Sequence, residues 1–176
     1  MLGAINFKKM ASQKKLYLVR HAKSSWNNPA LPDFERTLND RGNRDAPEMA
    51  HRLMVRGAQP DTFVSSPATR AKQTAEFFCL SYGKQKSDLI LLDELYHASP
   101  AVFTTVIESL NNSIQEAIIF SHNNGITDFV NSLCANVHID NMPTCGIFAI
   151  ALNTSSWHTF AQTQHEFLFF DYPKNS

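Results

Sequence analysis

Short apolar runs alternate along this chain with longer amphipathic segments, and this alternation is the feature that most constrains the fold. The apolar runs are of a length typical of buried strands. They lie at residues 16–19, 62–66, 89–92 and 117–121. Strands that alternate with helices are typical of a parallel sheet covered by helices on both faces. The sequence therefore predicts an α/β protein, a three-layer α/β/α sandwich with a mostly parallel central sheet.

Cap and breaker residues set the expected ends of the helices between these strands. Asn39 or Asp40 can cap a helix that ends near Arg56, and Gly57 can stop it. Pro67 suits the first position of the next helix, because proline lacks the N–H that a first helical residue leaves unpaired. The four helices are therefore predicted at residues 40–56, 67–79, 100–111 and 125–135.

Two later segments, 146–152 and 165–170, predict strands towards one edge of the sheet, joined as a hairpin or meander. No Pro/Gly/Ser-rich linker, repeat or low-complexity tract interrupts the pattern, so residues 16–173 are expected to form one domain. Residues 1–15 are expected to form a loose tail, within which Met10 is an alternative start to Met1.

The charge balance argues against a bulk attraction to nucleic acid or anionic membranes. Lys+Arg and Asp+Glu both number 16, so the formal net charge is zero. No apolar run approaches the ~20 residues that span a bilayer, and the first residues lack a signal-peptide pattern. We therefore expect a cytoplasmic protein without nucleic-acid or membrane partners. Cys79, Cys134 and Cys145 are odd in number and widely spaced, which favours reduced core thiols.

Basic residues follow three of the predicted strands. Arg20 and His21 come directly after the first strand, Arg70 lies in the helical turn after the second, and His122 follows the fourth. Ligands of such sheets bind beyond the carboxyl ends of the strands, so these four side chains should share one rim. Guanidinium forks match phosphate oxygens two at a time. The sequence therefore predicts a phosphoryl site in which one histidine is the nucleophile and the other is a hydrogen-bond donor.

Five motifs in this order resemble a known family. They are "LVRHAKSSWN", "RTLNDRG", "SSPATRAKQTA", "FSHNNGI" and "MPTCGIFAI". Together they resemble the histidine phosphatase (phosphoglycerate mutase-like) superfamily, with alanine at 22 where most members have glycine. The variant "RHAKS" is similar to the small branch of SixA-type phosphohistidine phosphatases, and the resemblance covers residues 15 to 173.

The resemblance implies a role for each matched residue. His21 would take the phosphoryl group as a transient phosphohistidine that water then hydrolyses, while Arg20, Arg70 and His122 complete the phosphate pocket. Asn27 falls where family members have a phosphate-contacting asparagine, although a turn residue fits that position nearly as well. Lys23 and Ser24 on the same loop are weaker candidates, and Ser66 and Thr69 are expected to shape the turn and helix start.

Glu94 stands about where superfamily members that cleave unactivated esters have a proton donor, although a solvated or capping carboxylate fits the sequence too. Only 27 residues separate Glu94 from His122, which leaves no room for the lid domain that larger members insert there. An open site admits a phosphorylated side chain of a protein. Phosphohistidine suits such a site, because its imidazole leaving group needs less help from an acid than an alkoxide does.

We therefore expect an enzyme without cofactor or metal, in which arginines neutralise the phosphoryl charge. Its expected partner is a phosphorylated protein with a phosphohistidine-carrying domain, or a small phosphate ester. The remaining histidines show no paired spacing that would suit a metal. The alternatives are a phosphatase or mutase for small phosphate monoesters, a non-catalytic phosphate-binding module, and a purely structural role in which "RHAKSS" caps a helix. The absent lid argues against a mutase, and the intact set of four basic residues argues against lost catalysis.

Overall fold

The computed structural model describes residues 13–175, and its elements follow the predicted alternation of strands and helices. The strands are β1 (Lys14–Arg20), β2 (Thr62–Ser65), β3 (Leu89–Leu91), β4 (Glu116–Ser121), β5 (Ile147–Leu152) and β6 (His165–Asp171). The helices are α1 (Asp40–Val55), α2 (Thr69–Ser81), α3 (Pro100–Glu108) and α4 (Gly125–Leu133).

The six strands form one sheet in the order β3-β2-β4-β1-β5-β6. The pairs β3–β2, β2–β4 and β4–β1 are parallel, whereas β5 runs antiparallel to both β1 and β6. The prediction of a mostly parallel sheet with an antiparallel pair towards one side is confirmed. Because β2, β4 and β1 are neighbours and parallel, their carboxyl ends meet at the middle of one sheet edge.

Alternate residues of β1 point to opposite faces of the sheet, and each face carries its own core. Leu16 and Leu18 belong to the core cluster that includes residues of α3 and α4. Tyr17 and Val19 belong to the cluster that includes residues of α1 and α2. This period of two is the expected pattern for a strand buried on both faces. It confirms the three-layer arrangement.

Several predicted boundaries shift by a few residues. β1 begins at Lys14, inside the predicted tail, because the buried ammonium of Lys14 donates to the carbonyls of Asn112 (3.0 Å) and Ile114 (2.6 Å). Pro67 is not the first helical residue, since α2 begins at Thr69. The reason lies at Ser66, whose hydroxyl accepts the Ala68 N–H and forms a turn before the helix. Residues 1–12, with Met10, lie outside the described residues.

Other boundaries agree more closely with the sequence. Asn39 caps α1 by accepting the N–H of Gly42 at 2.9 Å, and Gly57 follows with the positive φ of 82° that glycine tolerates. α3 ends at Glu108, three residues before the predicted end. Gly125 opens α4, where any Cβ would clash with the carbonyl of Ala98, so α4 packs closely against the loop after β3.

The segment between β3 and β4 contains only the short 3-10 turn Asp93–Leu95 and helix α3. It therefore carries no inserted lid, as predicted. Among residues 13–175, no helix is long and apolar enough to cross a membrane. The three cysteines are unpaired and buried, as expected for core thiols.

Candidate active site

The fold brings together the four basic residues predicted to share one rim. Arg20 ends β1 and His21 follows it, Arg70 is the second residue of α2, and His122 follows β4. The imidazole rings of His21 and His122 have centroids 5.0 Å apart. The Arg70 Nε lies 3.2 Å from the His21 Nε2. These residues come from positions more than a hundred apart in sequence and form one cluster.

His21 is held in the orientation and tautomer of a nucleophile. It is 6% exposed, and its Nδ1 lies 2.7 Å from the carbonyl oxygen of Ala22. Because a carbonyl oxygen can only accept, Nδ1 carries the ring proton and donates a hydrogen bond to that oxygen. The lone pair is then on Nε2, where the Arg70 Nε–H points. Burial lowers the pKa of His21 to about 3; the hydrogen bond to Ala22 opposes this shift, and the charges of Arg70, Arg20 and Arg36 add to it. The imidazole is therefore neutral at physiological pH.

His122 is positioned by Ser66, a contact that the sequence did not predict. The His122 Nε2 lies 2.8 Å from the Ser66 hydroxyl oxygen, which already accepts the Ala68 N–H. The hydroxyl hydrogen can point at Nε2, and in that tautomer the ring proton lies on Nδ1. That Nδ1 is buried and has no hydrogen-bond partner among the described residues. Burial lowers the pKa of His122 to about 2, with a smaller contribution from His21. His122 can therefore donate a hydrogen bond from a neutral ring.

The guanidinium groups of Arg20 and Arg70 each donate a hydrogen bond to a backbone carbonyl oxygen. Arg20 donates from one terminal nitrogen to the Met142 carbonyl at 2.6 Å, while its Nε is buried and unpartnered among residues 13–175. Burial, and then the charge of Arg70, lower the pKa of Arg20. Arg70 is 4% exposed and donates to the backbone oxygen of Asp33 at 2.6 Å and to its carboxylate at 2.9 Å. Such crowding of guanidinium groups favours an anion between them.

Arg36 is a third guanidinium of this cluster, and the sequence did not single it out. It is 8% exposed, its charge lowers the pKa of His21, and its Nε and one terminal nitrogen are buried without a partner among the described residues. Its other terminal nitrogen donates to Ser24 at 3.3 Å, and the guanidinium stacks 3.6 Å from the ring centroid of Trp26. The motif "RTLNDRG" contains Arg36, but nothing in its spacing indicated that the side chain turns towards His21.

Among residues 13–175, Asp33 supplies the one carboxylate that contacts these cations. Its oxygens accept from Arg70 at 2.9 Å and from the Tyr96 hydroxyl at 2.9 Å, and lie 3.2 Å from Arg36. Burial opposes ionisation of Asp33, but the Tyr96 hydrogen bond and the two guanidinium groups outweigh it and lower the pKa of the carboxyl group. The carboxylate of Asp33 therefore occupies hydrogen-bond donors that a phosphoryl group needs.

Asp33→Asn is expected to raise the affinity for inorganic phosphate about fivefold, because it removes a negative charge from the phosphoryl site. Two unit charges about 4 Å apart in water interact with about 1 kcal/mol, which corresponds to this factor. Isothermal titration calorimetry measures the change. Glu35→Gln is the matched control, because Glu35 is exposed on the same short 3-10 turn and its substitution removes the same charge. A lower affinity in Asp33→Asn would show instead that Asp33 holds the arginines in their binding geometry.

The lowered pKa values of His21 and His122 predict a stability that falls in acid. The unfolded chain takes up protons on these histidines below about pH 6.5, whereas the folded chain takes them up only near the lowered pKa values. Their contribution is therefore fully present above pH 6.5 and lost as the pH falls towards 3. Chemical denaturation at a series of pH values measures this. His21→Ala should show a shallower decline over the window, and an identical decline would contradict the assignment.

The remaining candidates lie away from this cluster or support it. Asn27 is exposed, and its backbone N–H donates to the Ser25 hydroxyl at 3.2 Å. Glu94 is exposed in its 3-10 turn, and its side chain makes no hydrogen bond or ion pair with any described residue. Ser24 supports Arg36, as above. Lys23 is half-buried beside Arg20, and Thr69 is the first residue of α2.

No group of three or more His, Cys, Asp or Glu side chains within residues 13–175 could hold a metal ion. The site instead combines three guanidinium groups, two neutral imidazoles and one carboxylate. Such a set can bind a tetrahedral oxyanion and present the Nε2 of His21 to its central atom.

Comparison with known proteins agrees with the resemblance seen in the motifs. The model of the histidine phosphatase superfamily (branch 1) matches residues 16–99. An uncharacterised chloroplastic protein of Arabidopsis thaliana is 41% identical over 61 residues, which is 35% of this chain and 28% of that protein. The chain thus matches little more than a quarter of that relative's length.

Two solved structures share the fold over nearly the whole chain. One, from Agrobacterium tumefaciens, is named as phosphohistidine phosphatase SixA and has a TM-score of 0.78 at 24% identity, covering 91% of this chain and 98% of its own. The other is the protein histidine phosphatase SixA in complex with tungstate, with a TM-score of 0.77 at 21% identity, covering 92% and 98%. At 24% and 21% identity, these two structures show that the chain shares their fold.

Proposed function

We propose that the chain is a member of the histidine phosphatase superfamily, whose model matches residues 16–99, and that it is a metal-independent phosphatase that forms a covalent phosphohistidine at His21. The observation that carries the proposal is the tautomer of His21. Its Nδ1 donates to the Ala22 carbonyl, so the Nε2 lone pair faces the cluster of arginines. A neutral, oriented nitrogen beside an oxyanion site is what nucleophilic catalysis of phosphoryl transfer requires.

In the first step, the Arg70 Nε–H turns from the His21 Nε2 to a phosphoryl oxygen, the freed Nε2 lone pair attacks the phosphorus atom, and the bond from phosphorus to the leaving nitrogen or oxygen breaks. The bonding electrons go to the leaving atom, which takes up a proton from solvent water. The proton stays on the His21 Nδ1, which donates a hydrogen bond to the Ala22 carbonyl throughout. Arg20, Arg36 and Arg70 bind the equatorial oxygens, and the unpartnered His122 Nδ1 donates to one of them.

In the second step, a water molecule attacks the phosphohistidine from the side that the leaving group vacated. The bond from phosphorus to Nε2 breaks, and its electrons return to Nε2 as the lone pair. The released inorganic phosphate keeps the oxygen of that water, and its protons stay on the phosphate or pass to solvent. The arginines stabilise the same charge in both steps, so the site needs no rearrangement between them.

We propose phosphohistidine in a protein as the substrate. Two features support this over a small ester: no lid encloses the site, and Glu94 is exposed and contacts no residue of the cluster. An ester needs an acid at its leaving oxygen, whereas an imidazole leaving group has an ordinary pKa near 6.5. The proton-donor role of Glu94 and the phosphate contact of Asn27 stay predictions. A cytoplasmic location is also proposed, because the three free cysteines suit a reducing compartment.

A comparison of substrates tests the proposal. We expect kcat/KM for a phosphohistidine peptide to exceed that for the phosphoserine peptide of the same sequence by at least about a hundredfold, since a general acid contributes 10²–10⁴-fold to ester cleavage. Faster turnover of phosphoserine or para-nitrophenyl phosphate would favour a phosphatase of small phosphate monoesters. Tight phosphate binding without any turnover would favour a non-catalytic binding module.

A further inference from the structure

A cleft of about 600 Å³ adjoins the proposed phosphoryl site and is lined mostly by charged side chains. Arg20 belongs to both the cleft and the phosphoryl site, and Lys23 follows His21 by two residues. The other walls come from the first half of α1, the loop at 141–144 and the segment 172–174. We call this cleft the basic cleft, because its cations outnumber its carboxylates. The cations are Arg20, Lys23, Arg41, Arg44 and Lys174, and the carboxylates are Asp45 and Glu48.

The cations of the basic cleft are only partly neutralised. Arg41 and Arg44 share one carboxylate, that of Asp45, at 3.7 and 3.3 Å. Among the described residues, neither Lys23 nor Lys174 has a carboxylate within ion-pair distance. The chain as a whole has a formal net charge of zero, so this excess of positive charge is local. A local excess beside the phosphoryl site attracts further negative charge on the substrate.

The chemistry of the basic cleft argues against a second small-molecule pocket. Small-molecule sites are mostly apolar, with a few polar groups and little exposure. Here the Arg44 side chain is 69% exposed and that of Arg41 is 43% exposed. Exposed cations on separate side chains suit an extended acidic segment that remains partly solvated, because each contact is weak and several act together.

We propose that the basic cleft binds acidic residues that flank the phosphorylated histidine of a protein substrate. This inference rests on the proposed function and adds the class of sequence that the enzyme prefers. Arg20 lies in both the cleft and the site, so a chain whose phosphohistidine meets His21 continues directly past Lys23 towards α1. Acidic residues on that chain meet Arg41 and Arg44, whereas basic residues there are repelled.

Two peptides phosphorylated on their single histidine with phosphoramidate test the inference. One has glutamates on both sides of the histidine, and the other has glutamines at the same positions. At an ionic strength of about 0.01 M, where the Debye length is about 30 Å, we expect kcat/KM to be about tenfold higher for the glutamate peptide. At about 1 M salt, where the Debye length is about 3 Å, the ratio should approach one.

The double variant Arg41→Gln/Arg44→Gln should lower this ratio at low salt well below tenfold, with Lys23 and Lys174 accounting for what remains. Lys84→Gln is the matched control, because Lys84 is exposed just beyond the carboxyl end of α2, roughly 20 Å of helix away from Arg70. Lys84→Gln should leave the ratio unchanged. A ratio that does not fall in the double variant, or falls equally in the control, would overturn the assignment to the basic cleft.

The same experiment separates failure of the inference from failure of the proposed function. If both peptides turn over equally at low salt, the preference for acidic flanks is wrong while the phosphohistidine phosphatase proposal stands. If neither peptide turns over but para-nitrophenyl phosphate does, the phosphohistidine substrate is wrong. If the glutamine peptide turns over faster, the basic cleft does not bind acidic flanks and the inference fails.

Discussion

His21→Ala is expected to lower kcat/KM for a phosphohistidine peptide by at least about a thousandfold, because it removes the attacking nitrogen. The arginines remain and can still bind the phosphoryl group, but no other described side chain presents a neutral nitrogen beside Arg70 in the same way. His122 donates to the substrate in the proposed mechanism and accepts from Ser66, so it cannot replace His21. Single-turnover kinetics with the peptide measure the loss directly.

The loss in His21→Ala should come from chemistry and not from unfolding. Among the described residues, the His21 imidazole forms hydrogen bonds with Ala22 and Arg70. Phosphate affinity, measured by calorimetry, should therefore stay within about tenfold of the wild-type value while turnover disappears. His51→Ala is the matched control, since His51 is exposed on α1. Turnover that persists in His21→Ala within about tenfold of wild type would exclude His21 as the nucleophile.

Arg70→Ala is expected to weaken phosphate binding by roughly ten- to a hundredfold. A charge-assisted hydrogen bond contributes on the order of 1.5–3 kcal/mol, and Arg70 points its Nε–H at the atom that would bind phosphorus. Thermal shift with and without phosphate, followed by calorimetry, measures the change. Arg70→Lys should give an intermediate affinity, because lysine keeps the charge but loses the planar fork.

The structural alternative predicts the opposite result for Arg70. If Arg70 served the fold alone, Arg70→Ala would lower the melting temperature and leave phosphate affinity unchanged. In the structure, the Arg70 guanidinium contacts His21 and Asp33, and the side chain of Asp33 is 47% exposed. Water can hydrate that carboxylate in the variant, so we expect a small change in melting temperature without phosphate.

The sequence predicted the meeting of Arg20, His21, Arg70 and His122 because strand order and strand direction suffice to place them. Each follows a strand or opens the helix after one, and β1, β2 and β4 are parallel neighbours. The carboxyl ends of such strands share one edge whatever the loops do. Topology alone therefore brings these four residues together.

Arg36 and Asp33 could not be placed in this way, because they lie in an irregular segment between β1 and α1. Their positions depend on contacts between that segment and distant residues: Asp33 with Tyr96 and Arg70, and Arg36 with Trp26 and Ser24. No periodicity encodes such contacts. The contact of Ser66 with His122 could not be predicted either. The local sequence indicates the role of Ser66 in the turn, but its hydrogen bond to His122 depends on the neighbouring strand β4.

The boundary at Pro67 shows a second limit of sequence patterns. Proline favours the first helical position in general, but here Ser66 takes part in a turn and the helix begins two residues later. The extension of β1 to Lys14 has a similar origin, since the carbonyls that satisfy its ammonium group come from residues near 113.

Trapping of the phosphorylated intermediate tests most directly whether His21 forms a covalent phosphohistidine. Brief exposure of the protein to a phospho-donor labelled on phosphorus, followed by quenching in base and peptide mapping, should give an acid-labile, base-stable label on the peptide that contains His21. The label should be absent from His21→Ala. Continued turnover of a phosphohistidine peptide by the wild-type protein with no label on that peptide, or with the label on another residue, would contradict a covalent phosphohistidine at His21.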